Sequence, residues 1–159
     1  MSSDPQKSAA SGPVVARNRK ARHEYHLLET WEAGLVLTGT EIKSVRAGKV
    51  SLKEAFGIVR NGEVWLEGMN ISPYESAGYV THDPTRSRKL LLHVREIRRL
   101  IGAVERQGLT LIPLDLHLTR GRAKVTMALA RGKKRHDKRE DAKRRDAARE
   151  AARAVGRRT

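Results

Sequence analysis

The fold of this chain is decided by the stretch Leu114-Asp115-Leu116-His117-Leu118-Thr119-Arg120-Gly121-Arg122-Ala123-Lys124-Val125-Thr126-Met127-Ala128-Leu129. Large apolar side chains alternate with polar or small ones before and after Arg120-Gly121-Arg122, and this period of two is that of a β-strand with two different faces. A short glycine-containing segment between two such runs is typical of a hairpin. The stretch therefore predicts an antiparallel hairpin with one apolar face.

Further strands are predicted on the N-terminal side of this hairpin. Leu109 and Leu111 have the opposite parity to Leu114, and Pro113 lies where the parity changes, which indicates a bulge or a strand edge. Asn61-Gly62 is a turn signal, and the alternating segment 63–67 follows it directly. The segment from Tyr25 to Val36 is another candidate strand.

Two helices are also predicted. Thr38 and Glu41 have the spacing of a capping box, with Gly48 as the stop of the helix that they begin. A stronger helix is expected from about Val94 to Gln107, where apolar residues form one stripe before Gly108.

Together these elements predict a mainly β protein, a small antiparallel barrel with two or three short helices. The oligonucleotide-binding fold is one such barrel, and the pattern alone does not select it. The core must be aliphatic, because the chain has only one Phe, three Tyr and two Trp.

The chain divides into three expected segments. Residues 1–16 are small, polar and interrupted by prolines, which is typical of a disordered N-terminal lead. Residues 17–130 carry the strand and helix patterns of the barrel domain. Residues 131–159 form a basic C-terminal tail with 13 Lys or Arg and five Asp or Glu.

Net charge narrows the classes of function. The formal net charge is +15, which points to a polyanionic partner, most simply nucleic acid. A membrane partner is disfavoured, because no apolar run approaches the roughly 20 residues of a spanning helix. With no cysteine and no signal-peptide pattern, a cytoplasmic protein is expected.

Catalytic motifs are missing from the sequence. It contains no glycine-rich phosphate loop, no H-E-x-x-H and no G-x-S-x-G. His23 and His26 would point to opposite faces of a strand, so they are not expected to share a metal ion. We therefore expect a binding protein without a cofactor or a metal, and not an enzyme.

Three basic clusters remain as candidate phosphate contacts. They begin at Arg17, at Arg86 and at Lys133. Any single cluster is explained equally well as a solvated face. Three clusters on one small domain favour contact with RNA phosphates, with shape and loop contacts supplying the selectivity.

The tail has an unusual composition. Six alanines give it high helix propensity, and Arg145, Arg149, Arg153 and Arg157 repeat every four residues along one face. It has almost no large apolar residue to bury and its like charges repel one another. We expect a tail that is disordered or conditionally helical and that becomes a helix when RNA neutralises it; a permanently disordered solubility tail is the alternative.

The order of these motifs resembles the SmpB (SsrA-binding protein) family over nearly all of residues 17–145. The resemblance is carried by Asn18-Arg19-Lys20-Ala21-Arg22-His23-Glu24-Tyr25, Glu32-Ala33-Gly34, Gly39-Thr40-Glu41-Ile42-Lys43-Ser44-Val45-Arg46-Ala47-Gly48-Lys49, Asn70-Ile71-Ser72-Pro73-Tyr74, Asp83-Pro84-Thr85-Arg86-Ser87-Arg88-Lys89-Leu90-Leu91-Leu92 and Gly132-Lys133-Lys134-Arg135-His136-Asp137-Lys138-Arg139. Asn70 stands where the family frequently has His.

The resemblance implies a fold and a role. The fold is an oligonucleotide-binding-type barrel that binds the tRNA-like domain of transfer-messenger RNA. This complex enters stalled ribosomes with elongation factor Tu in trans-translation, which tags the nascent peptide and rescues the ribosome. The tail would act in the small-subunit decoding centre and the mRNA channel. Nothing indicates an obligate dimer, so a monomer is expected.

The resemblance and the basic clusters also assign site residues. The expected RNA-binding residues are Asn18, Arg19, Lys20, Arg22, Glu32, Lys43, Arg86, Arg88, Lys89 and Leu91. The expected residues of the tail in the decoding centre are Lys133, Lys134, His136, Asp137, Lys138 and Arg139. Without the resemblance, Glu32 would be read as a surface charge and Leu91 as a core residue.

A ribosomal protein or a ribosome-assembly factor that binds rRNA remains the alternative, because basic tails on a small barrel fit that role equally well. An RNA-processing enzyme would need a catalytic residue set, which the sequence does not offer.

Overall fold

The computed structural model describes residues 12–73, 83–133 and 135–157. Nine strands are found in these residues: β1 (Val14–Arg17), β2 (Tyr25–Leu35), β3 (Val50–Ser51), β4 (Phe56–Arg60), β5 (Glu63–Glu67), β6 (Asn70–Ile71), β7 (Arg88–Leu91), β8 (Thr110–Thr119) and β9 (Arg122–Gly132). Four helices accompany them: α1 (Ala21–Glu24), α2 (Gly39–Arg46), α3 (Val94–Gln107) and α4 (Arg135–Arg157).

The main sheet closes on itself. Its strand order is β1-β8-β4-β5-β7-β2-β9, and β8 also pairs with β9. The strands β8, β4, β5, β7, β2 and β9 therefore form a ring in which every pairing is antiparallel. The predicted antiparallel barrel is confirmed.

Strand β8 is the junction of this barrel. One edge pairs with β9 along its whole length, while the other edge pairs with β4 at Leu111 and with β1 from Asp115 to His117. The register shifts between Pro113 and Asp115, so the predicted bulge is confirmed. Proline has no N–H to donate to a ladder, which is why the irregularity falls there.

Two tight turns set the registers of the hairpins. Asn61 and Gly62 have φ of 51° and 74°, and Arg120 and Gly121 have 51° and 75°. Two consecutive positive φ values define the type I′ turn, whose twist matches that of the flanking strands. The hairpin β8–β9 predicted from the sequence is thus confirmed, and its turn is Arg120-Gly121.

The helices form where the sequence predicts them, with one addition. The Thr38 hydroxyl accepts from the Glu41 N–H and the Glu41 carboxylate accepts from the Thr38 N–H, so the capping box of α2 is present. Helix α3 ends at Gly108 in the left-handed conformation. The four-residue helix α1 was not predicted, because one turn leaves no periodicity to detect.

The barrel is filled by aliphatic side chains. Leu66, Leu90, Leu111, Leu116 and Met127 belong to one buried cluster, onto which α3 packs Leu100 and Ala103. A smaller cluster on the outer face of β8 and β9 buries Ala21 of α1 against Ile112 and Ala128. Helix α1 therefore covers part of the outer face of the barrel.

Three details correct the expectations from sequence. Residues 14–16 belong to strand β1 and not to a disordered lead, and β9 continues two residues beyond Ala130. Asp115 and His117, the polar positions of the β8 pattern, are buried at 4% and 0% exposure. Residues 1–11 of the expected lead, Tyr74 and Lys134 lie outside the described residues.

No helix within the described residues combines the length and the apolar character that a membrane crossing requires.

Candidate nucleic-acid interface

A shallow groove lies on the barrel where β7, β2 and β9 run side by side. Gly34 of β2 pairs with Leu91 of β7 on one side and with Lys124 of β9 on the other. Its missing side chain leaves room for Leu91, because a Cβ on Gly34 would lie 3.3 Å from the Cβ of Leu91. Leu91 is 54% exposed and is a wall of the groove, which has a volume of about 340 Å³.

Glu32 lies beside this groove and is tied to two neighbours. Its Oε1 accepts from the Lys124 ammonium at 2.9 Å, and its Oε2 lies 3.1 Å from Nε2 of His117. Burial raises the pKa of Glu32, but the hydrogen bonds from Lys124 and His117 outweigh burial, and the pKa is lowered. The side chain is therefore a carboxylate at neutral pH and keeps part of its surface in solvent.

Helix α2 and the β8–β9 turn supply a basic rim. Thr38, Gly39 and Ile42 line the groove from the side of α2, and the exposed residue Lys43 follows Ile42 in the same helix. Arg122 and Lys124 line the opposite side. Arg46 of α2 donates to the carbonyl of Gly121 at 3.5 Å, so the helix and the turn contact each other directly.

Arg88, for which an RNA contact was expected, has no exposed surface in this structure. Its guanidinium is fully buried and donates to Glu41 at 2.6 Å and to the carbonyls of Met69 and Pro84. Arg86 donates to the other oxygen of Glu41 at 2.5 Å. Glu41, for which the sequence predicted only a capping role, is thus a buried carboxylate between the buried Arg88 and the half-buried Arg86.

Most of the second basic cluster, which begins at Arg86, consequently forms contacts within the protein and is not free in solvent. Lys89 of β7 donates to Glu63 of β5 at 3.0 Å, with both side chains partly exposed. Arg86 also donates to the carbonyl of Val36 at 3.4 Å. Arg86 and Lys89 are half-buried and remain candidates for contacts at the edge of an RNA.

The first basic cluster begins a separate surface. The side chain of Asn18 donates to the carbonyl of Pro113 at 2.9 Å, and its N–H donates to Leu114, so Asn18 holds the turn on the β8 bulge. Arg19, Lys20 and Arg22 are exposed. A concave surface of about 500 Å³ lies between this turn and the segment 50–53, lined by Arg17, Arg19, Lys20 and Lys53 among others.

The root of the tail packs against α1. Lys133 donates to the carbonyl of Arg22 at 2.8 Å and forms an ion pair with Asp141 of α4. Arg145 lies 3.3 Å from Nδ1 of His23. Lys133 is therefore nearly buried here, Lys138 is half-buried and Arg139 is exposed. The residues His136 and Asp137 fall in the first turn of α4.

Several residues of the groove were not singled out from the sequence. Gly34, His117 and Lys124 meet Glu32 and Leu91 only because β2, β7, β8 and β9 are neighbours in the barrel. No sequence period reports such a meeting. In the described parts of the chain, no group of His, Asp and Glu side chains is placed to hold a metal ion.

Comparison with known proteins agrees with these features. The family model described as "SmpB protein" matches residues 15–157. The SsrA-binding protein of Nostoc punctiforme is 60% identical over 128 residues, which cover 80% of this chain and 83% of that protein. The SsrA-binding protein of Bacillus cytotoxicus is 57% identical over 144 residues, 91% and 93% of the two chains.

A solved structure has the same fold. It is described as "tmRNA-SmpB: a journey to the center of the bacterial ribosome", and it aligns with a TM-score of 0.64 at 53% identity. The match covers 78% of this chain and 91% of that one.

The closed antiparallel barrel, its net charge of +15 and its grooved face define a small basic barrel protein of the kind that binds polyanions. Within that class, the chain belongs to the SmpB family.

Proposed function

We propose that this protein binds the tRNA-like domain of transfer-messenger RNA and brings it to stalled ribosomes for trans-translation. Residues 17–130 supply recognition, and the tail 131–159 acts in the decoding centre and the mRNA channel of the small subunit. Elongation factor Tu accompanies the complex. The protein works in the cytoplasm as a monomer, by binding and without turnover or cofactor.

The observation that carries this proposal is the groove formed by Gly34, Leu91 and Lys124 beside Glu32. The groove combines an exposed leucine, a carboxylate and a lysine beside a glycine. Such a surface suits an unpaired base more than a regular duplex. RNA recognition in loops uses contacts to splayed bases, whereas phosphate contacts carry little selectivity.

The basic residues fit the supporting role of phosphate neutralisation. Arg19, Lys20 and Arg22 around α1, together with Lys43 beside the groove, surround the barrel with exposed positive charge. Such charges add affinity that is independent of sequence and falls with salt. Arg86 and Lys89 contribute less to this electrostatic affinity, because they form ion pairs with Glu41 and Glu63.

The tail suits an RNA-lined channel. Helix α4 spans Arg135–Arg157 and is exposed along nearly all of its described length beyond Ala142. A helix about 35 Å long, at 1.5 Å per residue, presents its arginines to any surrounding phosphates. Lys133, Lys134, His136, Asp137, Lys138 and Arg139 would act at its base, in the decoding centre.

Permanent binding to rRNA as a ribosomal protein is the less favoured function, since the relatives at 54–60% identity are SsrA-binding proteins. RNA recovered with the tagged protein from cells, then sequenced, separates the two. A single dominant transfer-messenger RNA supports the proposal. Bulk rRNA or mRNA alone would overturn it.

A matched pair of variants tests the site. Leu91→Ala should weaken binding to a transcript of the tRNA-like domain about tenfold, which is 1.4 kcal/mol. Leu28→Ala is the control, because Leu28 is exposed to a similar degree (43%) and lies outside the groove. Equal affinities of the two variants in a gel shift at fixed salt would remove the groove from the proposal.

A further inference from the structure

A chain of polar groups runs from the buried outer face of β8 to the rim of the groove. The hydroxyl of Thr126 donates to Oδ1 of Asp115 at 3.0 Å, and the same oxygen lies 2.9 Å from Nδ1 of His117. Nε2 of His117 lies 3.1 Å from Oε2 of Glu32. The imidazole is fully buried, Asp115 is nearly so, and Glu32 is partly exposed.

Both ring nitrogens of His117 face carboxylate oxygens, and a carboxylate oxygen only accepts hydrogen bonds. Nε2 of His117 therefore donates to Glu32, and this hydrogen bond, together with the one from Lys124, lowers the pKa of Glu32 against the effect of burial.

We propose that His117, oriented by Asp115, is a positioning residue that fixes the Glu32 carboxylate as a charged acceptor for the N–H donors of an RNA base edge. This inference rests on the proposed function. A glutamate side chain without such partners would lose rotational freedom about several bonds when it binds RNA. Because His117 already holds Glu32 in place, this entropic cost of binding is smaller.

The hydrogen-bond partners of the two carboxylate oxygens of Glu32 support this role. Lys124 is on Oε1 and His117 is on Oε2, so each oxygen has one partner and keeps a second lone-pair direction. Two parallel acceptor positions match a base edge with two adjacent donors, as in guanine. The lowered pKa of Glu32 is consistent with a carboxylate that stays charged.

Four strands place charged groups close to His117 or to its partner Asp115. The groups are Asp115 on β8, Glu32 on β2, Lys124 on β9 and Arg17 on β1, which pairs with Asp115 in the ladder.

Two substitutions of His117 separate positioning from packing. In His117→Gln the amide nitrogen takes the place of Nε2 and still donates to Glu32. In His117→Asn it takes the place of Nδ1, donates to Asp115 and cannot reach Glu32. For the tRNA-like transcript we expect His117→Asn to lose affinity about tenfold and His117→Gln less than about threefold. Ile112→Val, a conservative change on the same strand, should melt lower and bind normally.

The results with Glu32 and His117 variants separate a failure of the positioning role from a failure of the proposed function. Glu32→Gln, measured first, should weaken binding; if it does not, the role of Glu32 in the proposed function fails. If it does and both His117 variants bind like the parent protein, or lose affinity equally, only the positioning role fails. Nitrogen-15 spectra of the histidine-labelled full chain give a test that needs no variant to fold well. Nε2 of His117 should carry a proton at neutral pH, and an Nε2 without a proton would overturn the proposal.

Discussion

At the scale of single residues, the buried carboxylate of Glu41 connects helix α2 with strand β7. Glu41 closes the capping box of α2 and also accepts from Arg86 and Arg88. Burial raises its pKa, but hydrogen bonds from Arg86, from the Thr38 N–H and from Arg88 outweigh burial and lower the pKa to about 2. Breaking such a group leaves charges buried without a partner, which costs more than the net value of the pair.

Glu41→Gln should therefore destabilise the protein by about 3–5 kcal/mol, because Arg88 would remain fully buried without its counter-charge. Urea unfolding at neutral pH measures the change. Glu63→Gln is the control, since it breaks the partly exposed pair with Lys89 and should cost less than about 1 kcal/mol. Similar losses in the two variants would contradict the central role of Glu41.

The same carboxylate predicts an acid dependence of stability. Its pKa is lower in the folded state, about 2, than its ordinary value of 4.5. Its contribution of about 3 kcal/mol is therefore complete above the ordinary value and is lost as the pH falls towards 2. Free energies of unfolding measured down this range should drop less steeply for Glu41→Gln than for the parent protein. Parallel curves would contradict the assignment.

Sequence predicted some of these residues and not others, for a physical reason. Thr38 and Glu41 were found because a capping box is local. The pairing of Glu41 with Arg88 was missed, because 47 residues separate the partners. Leu91 shows the same limit in reverse. Without the resemblance it would be assigned to the core, whereas the resemblance implies an RNA contact, and the structure shows it 54% exposed.

At the scale of elements, the β8–β9 hairpin depends on a turn with an unfavourable residue. Arg120 has a positive φ, a conformation that side chains with a Cβ rarely adopt and that Asn tolerates well. Arg120→Asn should stabilise the protein by up to about 1 kcal/mol and raise Tm by about 3 °C. Arg122→Asn, in the extended strand next to the turn, should not raise it. An equal rise in both variants would refute the argument from backbone conformation.

Helix α4 was predicted from its composition, but the contacts that hold it against the barrel domain were not. The composition predicted helix propensity, and the helix is present. Its contacts with α1 through Lys133 and Asp141 were not predicted, because the composition offered no apolar face to dock. Polar contacts of this kind leave no period in the sequence.

A peptide of residues 131–159 should consequently show little helix in buffer, since it lacks the contacts with α1 and its arginines repel one another at i, i+4. Circular dichroism should show a rise in helix when anionic RNA or a helix-promoting alcohol is added. A stable helix in plain buffer would show that α4 needs neither partner.

At the scale of the whole molecule, recognition and ribosome action are assigned to different parts of the chain. The groove lies on the barrel, and His136-Asp137-Lys138-Arg139 lie at the start of α4, beyond the last barrel strand. Replacing all four residues by Ala should preserve the fold and the affinity for transfer-messenger RNA, since the net charge changes little against +15. Peptide tagging on stalled ribosomes should be lost.

Three measurements check this separation: thermal melting, gel shift with the tRNA-like transcript, and tagging in reconstituted translation. Normal tagging would remove the claim for this cluster. A large fall in Tm would show instead that the cluster packs on the barrel.

A chain ending at Lys133, which keeps all of β9, should bind the transcript within about tenfold of the full protein.

The whole fold was predictable in class because alternation, turns and caps are local signals, and the barrel needs only those to form its hairpins. The site was predictable only through resemblance. Its members come from β2, β7, β8 and β9, and their meeting depends on how the barrel closes.

The junction at β8 has a consequence for the order of events during synthesis. Strands β1 and β2 leave the ribosome first, yet their partners β8 and β9 follow about 100 residues later. At roughly 5–20 residues per second, the earliest strands wait several seconds with open edges. The barrel closes only when Gly132 has emerged. A chain that ends before Arg122 lacks β9, the strand that joins β2 to β8, so its ring stays open and both of those strands keep an unpaired edge.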